Sequence, residues 1–228
     1  MAGPASPTLR YEESAWAGGQ LLIGVDEVGR GPLAGPVVAA AVVFPLGAVR
    51  LEGVRDSKTL SAAQRAALLP ALYALALAVA VGAASVAEID RVNIRGATAR
   101  AMRRAIRRLL AQRPSPPPLG SPLSAPSAFS SPPPLILLDG LRFPEVGYPH
   151  EALVDGDTLC YSIAAAGIVA KEVRDRLMRR LAPRYPGYGW ETNAGYGTSQ
   201  HCDAIQELGP TPHHRQHFAP VAQYPLPF

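Results

Sequence analysis

Short aliphatic runs followed by carboxylates constrain the fold of this chain more than any other feature of its sequence. The runs, each with the acidic residues that follow it, are Ile23–Val25 before Asp26 and Glu27, Ile136–Leu138 before Asp139, and Leu153-Val154 ahead of Asp157. Runs of this length and composition are typical of buried strands. Because ligands of α/β sheets gather where strand ends and loops converge, these carboxylates are candidates for one shared site.

A shared site of this kind points to bound cations, since carboxylates close together repel one another. Hard oxygen ligands suit Mg²⁺ or Mn²⁺. Two such ions about 3.5–4 Å apart can activate a water and stabilise the leaving oxygen of a phosphodiester. Simpler interpretations also exist, since Asp139-Gly140 fits a turn and Asp157 fits the cap of a helix starting at Thr158. The spacing alone leaves both open.

The remaining sequence alternates predicted strands and helices. Further strands are predicted over Pro36–Phe44 and Val79–Val86, and helices over 61–77, Asn93–Gln112 and 158–181. A loop rich in glycine and proline, 29–35, joins the first two strands, and the chain beyond Pro183 is predicted to form short helices. This order indicates an α/β domain followed by a small C-terminal helical region.

The basic residues permit a polyanionic partner without requiring one. The 228 residues carry a net charge of +4, and all but two of the 22 basic residues are arginines. Six arginines lie on the predicted helix Asn93–Gln112. They fit a solvated helix face and contact with phosphates equally well.

Several classes of protein are disfavoured by the sequence. Two cysteines cannot build a disulfide framework, and the N-terminal residues lack the pattern of a signal peptide. The longest apolar stretch, Ala71–Ala84, is too short to span a bilayer. We therefore expect a cytoplasmic protein with no membrane partner.

A segment rich in proline and serine interrupts the pattern of elements. Residues 114–134 contain nine prolines and six serines, which predicts a flexible, partly polyproline loop inserted at one edge of the fold. The expected organisation is a flexible tail over 1–19, a catalytic domain over 20–182 with the insertion at 113–134, and a C-terminal helical region and tail over 183–228.

The segment Gly24–Pro36 resembles the opening of type 2 ribonucleases H, specifically bacterial ribonuclease HII. The resemblance extends in order over about residues 20–220, through 56–61, 89–94, 138–140, 156–157, 163–166, 170–171, 174–178, 195–198 and 214–215. It implies a ribonuclease H-like mixed β-sheet flanked by helices. It also implies hydrolysis of the RNA strand of RNA/DNA hybrids, and cutting 5′ of ribonucleotides embedded in duplex DNA, with 3′-hydroxyl and 5′-phosphate products.

The resemblance also assigns roles to individual residues. The four acidic metal ligands of the family, which hold Mg²⁺ or Mn²⁺ in a two-metal site, match Asp26, Glu27, Asp139 and Asp157. The loop that reads the 2′-hydroxyl group through its backbone matches Gly29, Arg30 and Gly31. The tyrosine that stacks on the sugar after the ribonucleotide matches Tyr196, and contacts to the nucleic-acid backbone match Ser57, Lys58 and Asn93.

Some of these assignments carry a structural condition. Neighbouring side chains on a strand point in opposite directions, so Asp26 and Glu27 share a site only if the strand ends or bulges there, which Gly29 allows. Lys171 and Arg174 either contact the substrate backbone or pair with Asp175.

The chain departs from the family pattern at two helical positions. Gly167 replaces a usual serine, which is expected to loosen its helix by up to about 1 kcal/mol relative to alanine. Glu172 replaces a small apolar residue, and either adds a carboxylate near the site or pairs with Arg176.

Other functions remain as alternatives. They are a type HIII-like ribonuclease H, a module that binds hybrids without cleaving them, and a two-metal nuclease specific for DNA. The histidines near Cys202 lack zinc-finger spacing, so zinc is not expected. The tail Gln223–Phe228 loosely resembles peptides that dock into sliding-clamp grooves, although packing on its own domain is the simpler interpretation.

Overall fold

The computed structural model describes residues 6–112 and 132–224. Most of the segment rich in proline and serine lies outside these residues, as do 225–228 of the clamp-like tail. The elements in chain order are α1 Arg10–Ala17, β1 Leu22–Val28, β2 Val37–Val43, α2 Ala62–Leu75, β3 Ala78–Ala84, α3 Val86–Leu110, β4 Leu135–Asp139, β5 Glu151–Leu153, α4 Gly156–Leu159, α5 Tyr161–Leu181, α6 Trp190–Asn193 and α7 Ser199–Leu208. The alternation of strands and helices predicted from the sequence is confirmed.

The five described strands form one mixed sheet in the order β3-β2-β1-β4-β5. β1, β2 and β3 are antiparallel neighbours, whereas β4 runs parallel to β1 and β5 runs parallel to β4. A short loop joins β1 to β2, whereas the connection from β2 to β3 contains α2. The connection from β3 to β4 contains α3 and places β4 parallel to β1. The central strand β1 is therefore hydrogen-bonded on both edges.

Helices cover both faces of the sheet. Ile23 and Val25 of β1 pack with α3 in one core cluster, whereas Val38 and Ala40 of β2 pack with α2 and α5 in another. Gly24 lies against the start of α5, where a Cβ atom would come within 2.3 Å of the backbone of Ser162. Alternate residues of each strand thus face opposite helical layers.

Helix α3 begins earlier than the sequence pattern indicated. The strand predicted to reach Val86 ends at Ala84, and Ser85 forms a capping box that starts the helix at Val86. The backbone then bends at Asn93, where φ is 58° and ψ is 173°. The predicted start of the basic helix at Asn93 therefore corresponds to this bend.

The N-terminal segment does not match the flexible tail expected over 1–19. Residues 10–17 form α1, and the side chain of Glu12 is only 1% exposed. Its Oε1 atom accepts hydrogen bonds from the backbone N–H of Ser162 at 2.7 Å and from the thiol of Cys160. A carboxylate from α1 thereby caps the N-terminus of α5, a contact that no local pattern announces.

The C-terminal region forms a small core of its own. Tyr188, Trp190, His201 and His214 are buried together, and the indole of Trp190 donates to Nε2 of His201 at 3.1 Å. His201 and His214 approach within 3.0 Å through their Nε2 atoms. Among the described helices, none combines the length and the apolar character needed to cross a membrane.

Candidate active site

Two of the predicted carboxylates lie side by side on neighbouring parallel strands. Val25 of β1 is in register with Leu138 of β4, and both belong to the core cluster under α3. Asp26 and Asp139 follow these residues directly, so both side chains turn to the opposite face, toward α5. The parallel register therefore brings together two carboxylates that are more than a hundred residues apart in sequence.

Asp157 completes the cluster from the short helix after β5. Its backbone N–H donates to Oδ1 of Asp139 at 3.3 Å, which ties the start of α4 to the end of β4. One oxygen from each of Asp26, Asp139 and Asp157 lies within 4.8 Å of the others. Asp157 thus reaches the site from a helix N-terminus, and not from the end of a strand as the sequence pattern suggested.

Glu27 does not join this group of three. β1 pairs regularly with β2 through Asp26, Glu27 and Val28, so the strand neither ends nor bulges at the two acidic residues. The carboxylate of Glu27 instead contacts the guanidinium of Arg30 at 3.3 Å. Burial raises the pKa of Glu27, Arg30 offsets part of the increase, and Asp139 adds to it, so Glu27 still lies within electrostatic reach of the cluster.

Burial and mutual repulsion make the cluster costly in its ionised form. Burial raises the pKa of Asp26 well above its usual value, and Glu27 and Asp139 add to the increase. Burial, followed by the charges of Asp139 and Asp56, raises the pKa of Asp157 to about 6. Three hard oxygen donors that resist ionisation without a counter-charge fit a divalent cation such as Mg²⁺ or Mn²⁺.

The segment 56–58, which contains the predicted substrate-contact residues Ser57 and Lys58, lies beside the carboxylates. Nζ of Lys58 is 3.7 Å from Oδ2 of Asp157 and 3.8 Å from Oδ1 of Asp56. Partial burial lowers the pKa of Lys58, but Asp56 and Asp157 outweigh it and the net pKa is raised. Asp56 is a neighbour of the cluster that the sequence reasoning missed, although the carboxylate lies next to two predicted site residues.

Gly167 of α5 makes room for Asp26. A Cβ atom at this position would lie 2.4 Å from Oδ2 of Asp26 and 3.7 Å from Oγ of Ser57. The sequence interpretation considered only the helix propensity of glycine. The structure adds that Gly167 leaves space beside a carboxylate that is 6% exposed.

The β1–β2 loop, Gly29–Pro36, begins beside the carboxylates. Gly29 has a φ of 92° and is buried, whereas Arg30 and Gly31 are exposed. The atom nearest to a hypothetical Cβ at Gly31 is on the ring of Tyr196, at 4.0 Å. The exposed end of the loop and Tyr196 therefore border the same surface.

Tyr196 lies in a tight turn, 194–197, here called the Tyr196 turn. Its side chain is 40% exposed, and Nζ of Lys171 lies 5.6 Å from the ring centroid. Lys171 also pairs with Asp175 at 2.9 Å, as one sequence interpretation proposed. Arg174 does not pair with Asp175 and is fully buried, so neither interpretation offered for it is correct.

Asn93 and the arginines of α3 have structural partners. Oδ1 of Asn93 accepts from the N–H of Gly96 at 3.1 Å and so caps the second half of α3. Five of these arginines contact other groups of the protein. Arg100 and Arg104 pair with Glu88, Arg95 pairs with Glu145, Arg103 donates to Val146 O, and Arg108 donates to Val81 O. On another helix, α5, Glu172 forms ion pairs with Arg179 at 2.8 Å and with Arg176 at 3.8 Å.

Comparison with known proteins identifies the relatives of this chain. The family model for ribonuclease HII matches residues 23–117 and 139–221. The ribonuclease HII of Rhodospirillum rubrum is 52% identical over 221 residues, which cover 95% of this chain and 91% of the relative. That of Synechococcus sp. strain JA-3-3Ab is 49% identical over 218 residues, covering 94% and 89%.

Solved structures share the fold at low sequence identity. Ribonuclease H2 from Pyrococcus horikoshii OT3 matches with a TM-score of 0.64 and 23% identity over 90% of this chain and 96% of that one. Bst-RNase HIII, solved with Mn²⁺, matches with a TM-score of 0.67 and 20% identity over 90% and 68%. The ribonuclease HII of Archaeoglobus fulgidus, solved in complex with PCNA, matches with a TM-score of 0.64 and 22% identity over 85% and 91%.

These likenesses confirm the predicted ribonuclease H-like fold, a mixed sheet flanked by helices. The match to the family model spans both the carboxylate cluster and the Tyr196 turn. The chain belongs to the ribonuclease HII family and is an enzyme of the ribonuclease H type.

Proposed function

We propose that the protein is an endonuclease that hydrolyses the RNA strand of RNA/DNA hybrids and cuts 5′ of single ribonucleotides embedded in duplex DNA. The products are a 3′-hydroxyl and a 5′-phosphate. The observation that carries the proposal is the cluster of Asp26, Asp139 and Asp157, which lies beside an exposed glycine loop and an exposed tyrosine. The catalytic domain, residues 20–182, provides the carboxylate cluster, and the C-terminal region, 183–228, provides Tyr196. The proposed place of action is the cytoplasm.

The carboxylates hold the catalytic cations in this proposal. Asp26, Asp139 and Asp157 would hold the cations, and the nearby carboxylate of Glu27 would add negative charge to the site. Mg²⁺ or Mn²⁺ at such a site supplies an activated water and charge stabilisation at the phosphate. The protein contributes rigidity, since two of the ligands are on sheet strands and Asp157 is fixed by its backbone bond to Asp139.

The substrate is recognised along the surface that leads from the cluster to Tyr196. Gly29, Arg30 and Gly31 form the loop segment that reads the ribonucleotide through its backbone, with Arg30 and Gly31 on the exposed side. The lack of a side chain at Gly31 lets a sugar approach the backbone. The ring of Tyr196 stacks on the following sugar, next to the cation of Lys171. Ser57, Lys58 and Asn93 contact phosphates, which positions the duplex without reading its sequence.

Cleavage of a DNA duplex with one embedded ribonucleotide, in Mg²⁺ or Mn²⁺, tests the proposal. We expect a single nick 5′ of the ribonucleotide, no cut in an all-DNA duplex, and no cut by the Asp26→Asn variant. Binding without cleavage under either metal would favour the hybrid-binding module. Cleavage of the all-DNA duplex would favour a DNA-specific nuclease, and cleavage of long hybrids alone would favour an HIII-like specificity.

We also propose that the C-terminal tail binds a sliding clamp. Support comes from the tail, which leads from Gln223 into the apolar residues up to Phe228, and from the PCNA complex of the archaeal relative. Residues 225–228 lie outside the described residues. Deletion of 223–228 is expected to abolish pull-down by the clamp while cleavage is retained, and unchanged pull-down would refute the idea.

A further inference from the structure

Two buried arginines without a carboxylate partner lie behind the β1–β2 loop. Arg174 of α5 and Arg215 of the C-terminal region are each 0% exposed. Among the described residues, no carboxylate oxygen lies within 4.0 Å of either guanidinium. Burying a charge without a counter-charge is unfavourable, so the hydrogen bonds that these groups make must compensate.

Within the described part of the chain, the hydrogen bonds of the Arg215 guanidinium all go to backbone carbonyl oxygens of the β1–β2 loop. Nη1 donates to Arg30 O at 2.8 Å, Nη2 donates to Gly29 O and to Gly35 O, and Nε donates to Gly35 O at 3.1 Å. The guanidinium therefore holds both ends of the loop by one planar group. A lysine at this position could not reach the same set of oxygens, because its ammonium is a single point of donation.

Arg174 binds the same loop and also the Tyr196 turn. Nε donates to Pro36 O at 3.0 Å and Nη2 donates to Ala34 O at 3.0 Å. Nη1 donates to Ala194 O at 2.9 Å, and the guanidinium carbon lies 5.9 Å from the centroid of the Tyr196 ring. One side chain thus connects the two elements that border the substrate surface.

Backbone hydrogen bonds reinforce this connection. Leu33 N donates to Gly195 O at 2.8 Å, and Arg215 N donates to Leu33 O at 2.8 Å. The buried position of Gly29 belongs to the same arrangement, because a Cβ atom there would lie 2.2 Å from Nε of Arg174. Glycine at position 29 is therefore favoured both by its positive φ and by the arginine packed behind the loop.

The orientation of the loop carbonyls determines what the loop offers to a ligand. In a trans peptide the C=O and N–H groups point in opposite directions. Because Arg215 draws the carbonyls of Gly29 and Arg30 inward, the N–H groups of Arg30 and Gly31 point away from the protein core. Within residues 6–112 and 132–224 these two N–H groups have no acceptor.

We infer that Arg174 and Arg215 are positioning residues for substrate recognition, with Arg215 orienting the β1–β2 loop and Arg174 coupling this loop to the Tyr196 turn. The inference rests on the proposed function for the identity of the ligand, a ribose and the sugar that follows it. It adds that the two sugars are recognised by one hydrogen-bonded unit and not by two independent contacts.

Arg174→Lys and Arg215→Lys test the inference, because both keep the positive charge and remove the planar fork. The activity readout is kcat/KM on a duplex with one embedded ribonucleotide and on a uniform RNA/DNA hybrid. Displacing a loop by about 1 Å can cost on the order of 100-fold in rate. We expect Arg215→Lys to lower both values by a similar factor, in the range of roughly 10- to 100-fold.

Arg174→Lys is expected to do more, because it also releases the Tyr196 turn. It should reduce the ratio of kcat/KM on the duplex with one embedded ribonucleotide to kcat/KM on the uniform hybrid. This reduction of the ratio should disappear in a Tyr196→Ala background. Arg103→Lys is the matched control, since Arg103 donates to the carbonyls of Glu145 and Val146, away from the loop. A ratio unchanged by Arg174→Lys, or full additivity with Tyr196→Ala, would overturn the coupling.

Hydrogen exchange of the loop amides provides a readout that does not depend on activity. Arg215→Lys should accelerate exchange only at the hydrogen-bonded loop amides 33–35, whereas Arg174→Lys should accelerate exchange at these amides and within 194–197. Equal protection in the variants and the wild type would refute the inference even if cleavage failed altogether. Absence of cleavage by the wild type would count against the proposed function alone.

A second variant, Gly195→Ala, tests the same connection if Arg174→Lys does not fold. Gly195→Ala attacks the same connection from the turn, because its Cβ atom would lie 2.6 Å from Ala34 O. We expect the same reduced ratio and the same faster exchange in both segments. A folded Gly195→Ala protein with wild-type values of both would overturn the inference.

Discussion

Asp26 shows how strongly burial and neighbouring charges act on a single carboxyl group. Its carboxylate is buried against α5 and faces Asp139 and Asp157, which explains why its pKa is raised. A raised pKa means that the folded state binds a proton more tightly than the unfolded state does. The ionised carboxylate therefore destabilises the fold progressively as the pH rises above the usual value for aspartate.

Asp26→Asn should abolish cleavage, because it removes a carboxylate of the proposed metal site. It should also stabilise the protein in the absence of divalent cations. The neutral amide removes the repulsion, and a gain of about 1 kcal/mol would raise Tm by roughly 2–4 °C in a protein of this size. Thermal unfolding in EDTA at pH 8 measures the gain, which should shrink at pH 5 as the wild-type carboxyl takes up a proton. Exposed Asp203 on α7 provides the control, and an equal gain from Asp203→Asn would contradict this account.

At the scale of elements, the kink in α3 assigns a structural role to Asn93. Its φ of 58° combined with a ψ of 173° is a backbone conformation that glycine adopts far more easily than other residues, and its side chain caps the helix at Gly96. Asn93→Ala should lower the free energy of unfolding by about 1–2 kcal/mol, whereas Asn93→Gly should cost less because glycine accepts the backbone angle. Urea denaturation of both variants measures the difference.

The same pair of variants separates capping from substrate contact. If Asn93 also binds a phosphate, both variants should raise KM for the duplex by a similar factor, whatever their stability. A rise in KM that follows only the loss of stability would leave Asn93 as a helix cap and nothing more.

Helix α1 provides a second prediction at this scale. Glu12 accepts the N–H of Ser162 at the start of α5, the helix that carries Gly167 and Arg174. Glu12→Ala should destabilise the protein by about 1–3 kcal/mol, because it leaves a buried donor unsatisfied. Glu13→Ala, on the exposed side of the same helix, should change the denaturation midpoint little, and equal effects would contradict the capping role.

Across the whole molecule, the features that could be predicted from the sequence are those with a local signature. The strands, the carboxylates after them and the capping box of α2 each follow from residues close together in the chain. Other features depend on partners far away in sequence. Glu12 meets Ser162, Arg215 meets Gly29, and Gly167 meets Asp26, and none of these pairs has a periodic pattern that would announce it.

The position of Glu27 illustrates the same division. Alternation along a strand states a condition for Asp26 and Glu27 to share a site, but only the register of β1 with β2 shows that the strand continues regularly through both. Neighbouring residues thus limit the possible side-chain arrangements, and contacts between segments far apart in sequence determine which arrangement forms.

The buried histidines link the stability of the C-terminal region to pH. Burial, together with His201, lowers the pKa of His214 to about 4, and burial lowers that of His201. Both rings are therefore neutral in the folded state at pH 7, with His201 hydrogen-bonded to Tyr196 O at 2.9 Å and His214 accepting from Thr211 N at 2.9 Å. The unfolded chain takes up protons at the usual pKa, so this contribution to stability declines as the pH falls from about 6.5 to 4.

His214→Gln should lower stability at pH 7.5 and make it less sensitive to acid. The difference in the free energy of unfolding between His214→Gln and the wild type should narrow by about 1–2 kcal/mol between pH 7 and pH 4.5, after allowance for solvent screening. The carboxylate cluster titrates with the opposite sign, so both proteins are compared in the Asp26→Asn background, where that contribution is reduced. Urea denaturation across this range measures the narrowing. His217 is exposed and outside the pair, so a similar narrowing in His217→Gln would show that the acid sensitivity arises elsewhere.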